Sequence, residues 1–219
     1  MEVQSPSLQK LISSIRVIAI TLWFVLTLSA GARQIEGPQV EDSAKASPLH
    51  SIGTRLNGKG IPNFGRVTPN LYRGAQPSAD GMAALKDLGI DVVVDLRGSA
   101  SDSERALVNK LGMQYVSIPS HCPFPKDKPW ADFLKVMSEN RNKRVFVHCR
   151  LGDDRTGLAI ASYRIADEGW SADEALNEMK AFGFSGAHHA LCPGLSKYVK
   201  HFPDRLKNSP AFRDLTPQE

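Results

Sequence analysis

The chain has only three cysteines in 219 residues, Cys122, Cys149 and Cys192. An odd number leaves at least one thiol outside any internal disulfide. Long apolar runs are also missing. The main one, Val17 to Ala30, is short for a spanning helix, which needs roughly 20 apolar residues. Blocks of one charge are absent: 27 Lys and Arg are interspersed with 23 Asp and Glu for a net charge of +4. That balance suits an anionic substrate but is too weak and scattered for nucleic acid, which is excluded as a partner. No repeat period appears, which excludes solenoids and propellers. The adjacent His188 and His189 lack any carboxylate–His spacing, so no metal site and no cofactor are expected.

What is present falls into segments. Lys10 and Arg16 precede the apolar run, and small residues follow it at Ala30, Gly31 and Ala32. This is the pattern of a secretory signal peptide over residues 1–32, cut after Ala32. An N-terminal anchor is the other reading, because Leu11, Ile12 and Ile15 extend the apolar stretch backwards; the membrane is a partner only if that segment is retained. Residues 33–59 are rich in Gly, Ser, Pro and charge and read as a loosely ordered linker. An exported chain, periplasmic or secreted, meets oxidising conditions. Cys122 and Cys192 then either pair, leaving Cys149 available, or remain ordinary thiols.

From residue 60 to about 208 the pattern alternates. Leu71 to Arg73 reads as a short strand after the turn Thr68-Pro69-Asn70. Ser78 caps a helix through Leu88, stopped by Gly89. Asp91–Leu96, Met113–Ile118 and Arg144–His148 are apolar or β-branched runs suited to buried strands. Helices are expected at 102–111, 130–139, 156–168, 172–182 and 193–202. Alternation of this kind predicts one α/β domain, residues 60–208, whose central and mainly parallel sheet is flanked by helices. Residues 209–219 form a C-terminal tail.

Between the strand ending at Val147 and the helix expected near Thr156 lies His148-Cys149-Arg150-Leu151-Gly152-Asp153-Asp154-Arg155-Thr156-Gly157. The first N–H groups of a helix have no intrahelical partner, and its dipole adds positive charge there. Such a site holds a phosphate and favours the thiolate of Cys149, which is the attacking form. Arg155, six positions on, offers a planar fork for two phosphate oxygens. Gly152 lets the loop curl without a Cβ in the way. The Thr156 hydroxyl is placed to hydrogen-bond the sulfur.

HCRLGDDRTG resembles the signature loop of protein tyrosine and dual-specificity phosphatases: His-Cys, five residues, Arg, then Ser or Thr and Gly. NLYRGAQP, DVVVDLRG and YVSIP extend the similarity to the smaller, atypical dual-specificity members over residues 64–185. The resemblance implies Cys149 as nucleophile, a cysteinyl-phosphate intermediate, no metal, and a phosphate held by Arg155 and the amides of Arg150, Leu151, Gly152, Asp153 and Asp154. His148 and Thr156 would support them. A rhodanese-type sulfurtransferase also carries a loop cysteine, but its loop is typically one residue shorter and lacks this frame. A non-catalytic phosphate-binding module remains the reading from another class.

The family supplies a general acid from the loop that here reads SHCPFPKDK, residues 120–128, which contains one carboxylate, Asp127. Asp154 is the alternative, placed as in myotubularin-type lipid phosphatases. His121 could also donate a proton. Arg73 falls near the pocket if its strand ends there. Asp153 and Asp154 repel a heavily charged ligand, which favours phosphotyrosine or phosphoserine/threonine in proteins over an inositol phosphate or phosphoinositide. Small phosphomonoesters are a further substrate class for an exported enzyme, expected to be monomeric.

Overall fold

The computed structural model describes residues 50–185 and 192–215. The expectations for residues 1–32, and the His188-His189 pair, lie outside the described residues. The chain divides between Pro48 and Leu49, and the second unit carries every element below.

Six strands form one sheet: β1 (Thr54–Arg55), β2 (Gly65–Arg66), β3 (Leu71–Gly74), β4 (Val92–Asp95), β5 (Gln114–Ser117) and β6 (Val145–His148). Their order is β1-β2-β3-β6-β4-β5. β3, β6, β4 and β5 run parallel, while β1 and β2 add an antiparallel edge. The expected α/β class and mainly parallel sheet are present. The two edge strands went unread because two-residue strands show no hydrophobic period. Thr54–Arg55 also brings the end of the expected 33–59 linker into the fold.

Helices cover both faces: α1 (Ala79–Asp87), α2 (Asp102–Lys110), α3 (Lys128–Glu139), α4 (Asp154–Asp167), α5 (Ala172–Ala181), α6 (Leu195–Lys200) and α7 (Phe202–Asn208). Ser78 and Ser101 cap α1 and α2 by accepting from the amides of Gly81 and Glu104. Ser171 and Glu174 form a reciprocal capping box on α5. The single helix expected over 193–202 is instead two. Pro203 sits in the first turn of α7, where its fixed φ starts a new helix but cannot continue an old one. The expected tail 209–219 is ordered through Pro210–Leu215, a 3₁₀ turn that buries Phe212 against the core.

Strand alternation sorts the core into two layers. Val92, Val94, Val145 and Val147 join Trp130, Phe133, Leu158 and Phe202 on one face. Val93, Phe146 and Tyr72 join Met82, Leu85 and Val108 on the other. Gly74, His148, Asp95 and Ser117 stand in register at the carboxyl ends of the four parallel strands. Ligand sites of α/β sheets form at that edge, and the HCRLGDDRTG loop leaves the sheet there.

Candidate active site

β6 ends at His148 and α4 begins at Asp154, two residues earlier than the pattern suggested, because the Asp153 side chain caps the helix by accepting from the Asp154 amide at 2.8 Å. Cys149 is buried and is the free cysteine. Its Sγ accepts from the Gly152 N–H at 3.3 Å.

The intervening carbonyls are all held, one by the adjacent His148 ring and three from outside the loop. Cys149 O faces His148 Nδ1 at 3.1 Å, and since a carbonyl only accepts, Nδ1 donates. Arg150 O accepts from the Gln76 amide at 3.3 Å. Leu151 O accepts from Asn63 Nδ2 at 3.4 Å and Gly152 O from Arg73 Nη2 at 2.7 Å. In a planar trans peptide the next N–H points opposite its carbonyl. Pinning four carbonyls outward therefore turns the amides of Arg150, Leu151, Gly152 and Asp153 the other way, and the Gly152 amide already meets the sulfur. Gly152 is required here twice over. Its φ is +79°, and a Cβ would lie 2.5 Å from Ala75 N.

Beneath His148 lies a closed set of charges that the sequence reading missed. His148 Nε2 is 2.8 Å from Glu104 Oε1, and Arg97 Nη2 bridges Glu104 Oε2 at 2.8 Å and Asp95 Oδ2 at 2.6 Å. Tyr115 donates its hydroxyl to Asp95 at 2.7 Å. Burial pushes the Asp95 carboxyl up, but the Arg97 and Tyr115 hydrogen bonds outweigh it and hold it below the usual carboxylate range. Asp95, Glu104 and His148 could converge on a cation, yet the Arg97 guanidinium already bridges the two carboxylates. Glu104 was hard to find because its sequence signal, an acid in the first turn of a helix, is commonplace.

Arg155 lies in the first turn of α4, half-buried, with Nη1 near Leu96 O and Ser120 O at 3.4 and 3.5 Å. It spans the ends of β4 and β5 and stands on the same edge as Cys149. Arg150 and Leu151 are exposed on the loop's outer side. Thr156 is fully buried and its Oγ1 has no hydrogen-bond partner among the described residues. The sulfur's donor is thus the Gly152 amide, not the expected Thr156 hydroxyl, since the earlier helix start moves Thr156 inside the first turn.

The two expected acids part ways. Asp127 precedes α3, and its Oδ1 accepts from Tyr198 Oη at 2.8 Å and from Arg205 Nη1 at 3.0 Å. Burial raises its pKa, but hydrogen bonds from Ser209 and Tyr198 and the Arg205 charge prevail and keep it below the usual value. A carboxyl so held is poorly suited to carry a proton at neutral pH. Asp154 lies on the loop itself, half-buried, with Oδ2 3.3 Å from Cys192 Sγ. Cys122 and Cys192 form a disulfide with their Cα atoms 5.0 Å apart, which settles the pairing the sequence left open. Those sulfurs are bonded to each other, so the Cys122–Asp154–Cys192 group has no thiolate to offer a metal.

Known proteins share this frame. A family model described as "DSP-PTPase phosphatase fused to NAD+ Kinase" matches residues 57–190, more than half of the chain. The dual specificity protein phosphatase TpbA of Pseudomonas aeruginosa (strain UCBPP-PA14) is 33% identical over 165 residues, covering 74% of this chain and 73% of TpbA. The crystal structure of P. aeruginosa TpbA matches with a TM-score of 0.60 at 29% identity, covering 74% of this chain and 99% of that one. A second TpbA structure, a Cys-to-Ser variant in complex with pTyr, matches with a TM-score of 0.59 at 28% identity, over 75% of this chain and 99% of that one. An inositol diphosphatase of Arabidopsis thaliana is 27% identical over 123 residues, covering 53% of this chain and 60% of its own length. The matched residues take in the whole signature loop, and the chain belongs to the family of atypical dual-specificity protein phosphatases.

Proposed function

We propose that the chain hydrolyses phosphate monoesters, phosphotyrosine first among them, through a cysteinyl-phosphate on Cys149. The observation that carries this is the outward pinning of the four carbonyls from Cys149 to Gly152, which leaves inward amides around a buried thiol. The Cys149 thiolate attacks phosphorus, forming the S–P bond as the P–O bond to the leaving group breaks. The inward amides and the Arg155 fork hold the three equatorial oxygens. Asp154 protonates the leaving oxygen. Water then attacks phosphorus with Asp154 as base, releasing phosphate and the thiolate. Asp154 takes this role over Asp127 because Asp127 is committed to Tyr198 and Arg205. No metal or cofactor enters the scheme.

Phosphotyrosine is favoured by the pTyr bound to the TpbA variant and by the paired carboxylates Asp153 and Asp154, which disfavour a densely charged ligand. An inositol phosphate substrate is the second reading, supported by the Arabidopsis relative and by the placement of Asp154. Export is supported by the Cys122–Cys192 disulfide, a bond that persists in oxidising compartments, and the enzyme is taken to act there as a monomer on phosphoprotein or small phosphomonoesters. Among the described residues no helix is long and apolar enough to cross a membrane.

The test is hydrolysis of an aryl phosphate by the full chain in EDTA, wild type beside Cys149→Ser. Activity that survives EDTA and vanishes in the serine variant supports the thiol mechanism. Equal activity in both would overturn it.

A further inference from the structure

Arg73, the third residue of β3, contacts neither phosphate nor water in the scheme above, yet it holds a carbonyl of the signature loop. Its side chain is fully buried. Nη2 donates to Gly152 O at 2.7 Å, and the guanidinium carbon sits 4.1 Å from the centre of the Phe182 ring. Nε and Nη1 are buried with no hydrogen-bond partner among the described residues. Leaving two donors unsatisfied in the interior is costly. An apolar side chain of similar volume would fill the space beside Phe182 at lower cost, so packing alone does not account for an arginine here.

Its neighbours in charge are Glu178, Cys149, Arg55 and Asp153. Burial brings Arg73 down to about 10, with Glu178 and Cys149 acting upward, which leaves it cationic at neutral pH. The other charges there are committed. Glu178 is bidentate to Arg164, at 2.8 Å through each oxygen, and also accepts from the Gly53 amide. Arg55 donates to Ala181 O and Asn63. Asp153 caps α4.

Resting on the functional reading above, we propose that Arg73 is a positioning residue for catalysis. It fixes Gly152 by its carbonyl while the N–H of the same glycine donates to Cys149 Sγ, and its buried charge, one residue from the sulfur, favours the thiolate. The two functions separate by substitution. Arg73→Gln keeps a donor for Gly152 without the charge, and Arg73→Lys keeps the charge without the planar fork.

The experiment follows the rate of Cys149 alkylation by iodoacetamide against pH, in the full chain without reductant so that the disulfide stays closed. Turnover of an aryl phosphate and the melting temperature are measured beside it. In Arg73→Gln the alkylation profile moves up by about one pH unit, the smaller end of the effect of a nearby opposite charge. In Arg73→Lys the profile stays with wild type while kcat falls about tenfold, as expected for a lost orienting contact rather than lost substrate binding. A purely structural arginine would lower the melting temperature and leave both the profile and the kcat of folded protein unchanged, which overturns the proposal. Should Arg73→Gln not fold, Arg73→Lys decides alone: wild-type kcat overturns it, and a reduced kcat with an unshifted profile supports it. Failure of the functional reading looks different, because wild type itself would then show no turnover and no alkylation at neutral pH.

Discussion

The signature loop and the segment before α3, residues 119–127, lie at the same edge of the sheet but are held by different means. Each carbonyl from Cys149 to Gly152 has a named donor, from His148 or from residues 63, 73 and 76 on the adjoining β2–β3 region. The other segment is fastened to the C-terminal end of the chain: Cys122 to Cys192, and Asp127 to Tyr198 and Arg205. Between those points Phe124 is 80% exposed at a φ of +56°, a left-handed conformation that an aromatic residue adopts only under local constraint. The loop proposed to hold the anion is therefore built into ten contiguous residues and the strands beneath them. The position of the 119–127 segment is set by chain some 70 residues away.

The comparison is tested hardest by Arg155→Lys. Charge is kept but the bidentate fork is lost, and kcat should fall by about 10²–10³, the usual cost of removing an oxyanion donor. Turnover near wild type would mean that the loop does not depend on Arg155 to hold phosphate. Next come the carboxylates. Asp154→Asn should lower turnover of poor leaving groups by about 10²–10⁴ and flatten the acid dependence of the rate, whereas Asp127→Asn should leave kcat within a few-fold. A reversal of that order would return the acid to the 119–127 segment.

Asp127 should instead show itself in stability. Its carboxyl lies below the usual range in the folded state, so its contribution is present above the unfolded-state pKa and is lost as pH falls through the folded one. Wild type and Asp127→Asn should therefore differ in melting temperature at neutral pH and converge in acid; a constant gap would count against the Arg205 and Tyr198 contacts. The gentlest test in terms of turnover is the disulfide. Replacing Cys122 and Cys192 by Ala opens a bridge between residues 70 apart, worth about 4 kcal/mol by chain entropy as an upper value. The variant should unfold at lower denaturant while its folded fraction retains turnover.

Much of the fold was legible because its cues are local. The Val92–Val94 run, the Ser78 cap and the glycines at 89 and 112 each declare an element from a few residues. The loop chemistry was legible for the same reason. What could not be read depends on chain folding back on itself. Glu104 meets His148 across 44 residues, and Arg73 meets Gly152 across 79. β1 and β2 exist only because β3 offers them an edge. Asp127 is the one carboxylate of the loop from which the family supplies its acid, though nearer Cys149 than the family's usual spacing, and Tyr198 and Arg205, more than 70 residues on, determine what its carboxylate can do.

The most direct measurement is a rapid acid quench of the full chain turning over a phosphotyrosyl peptide, followed by mass spectrometry of the peptide that contains Cys149. The account predicts a phosphate adduct on Cys149 within the first turnover, absent from Cys149→Ser and formed more slowly when Asp154 is replaced by Asn. Steady turnover with no adduct on that peptide would contradict it.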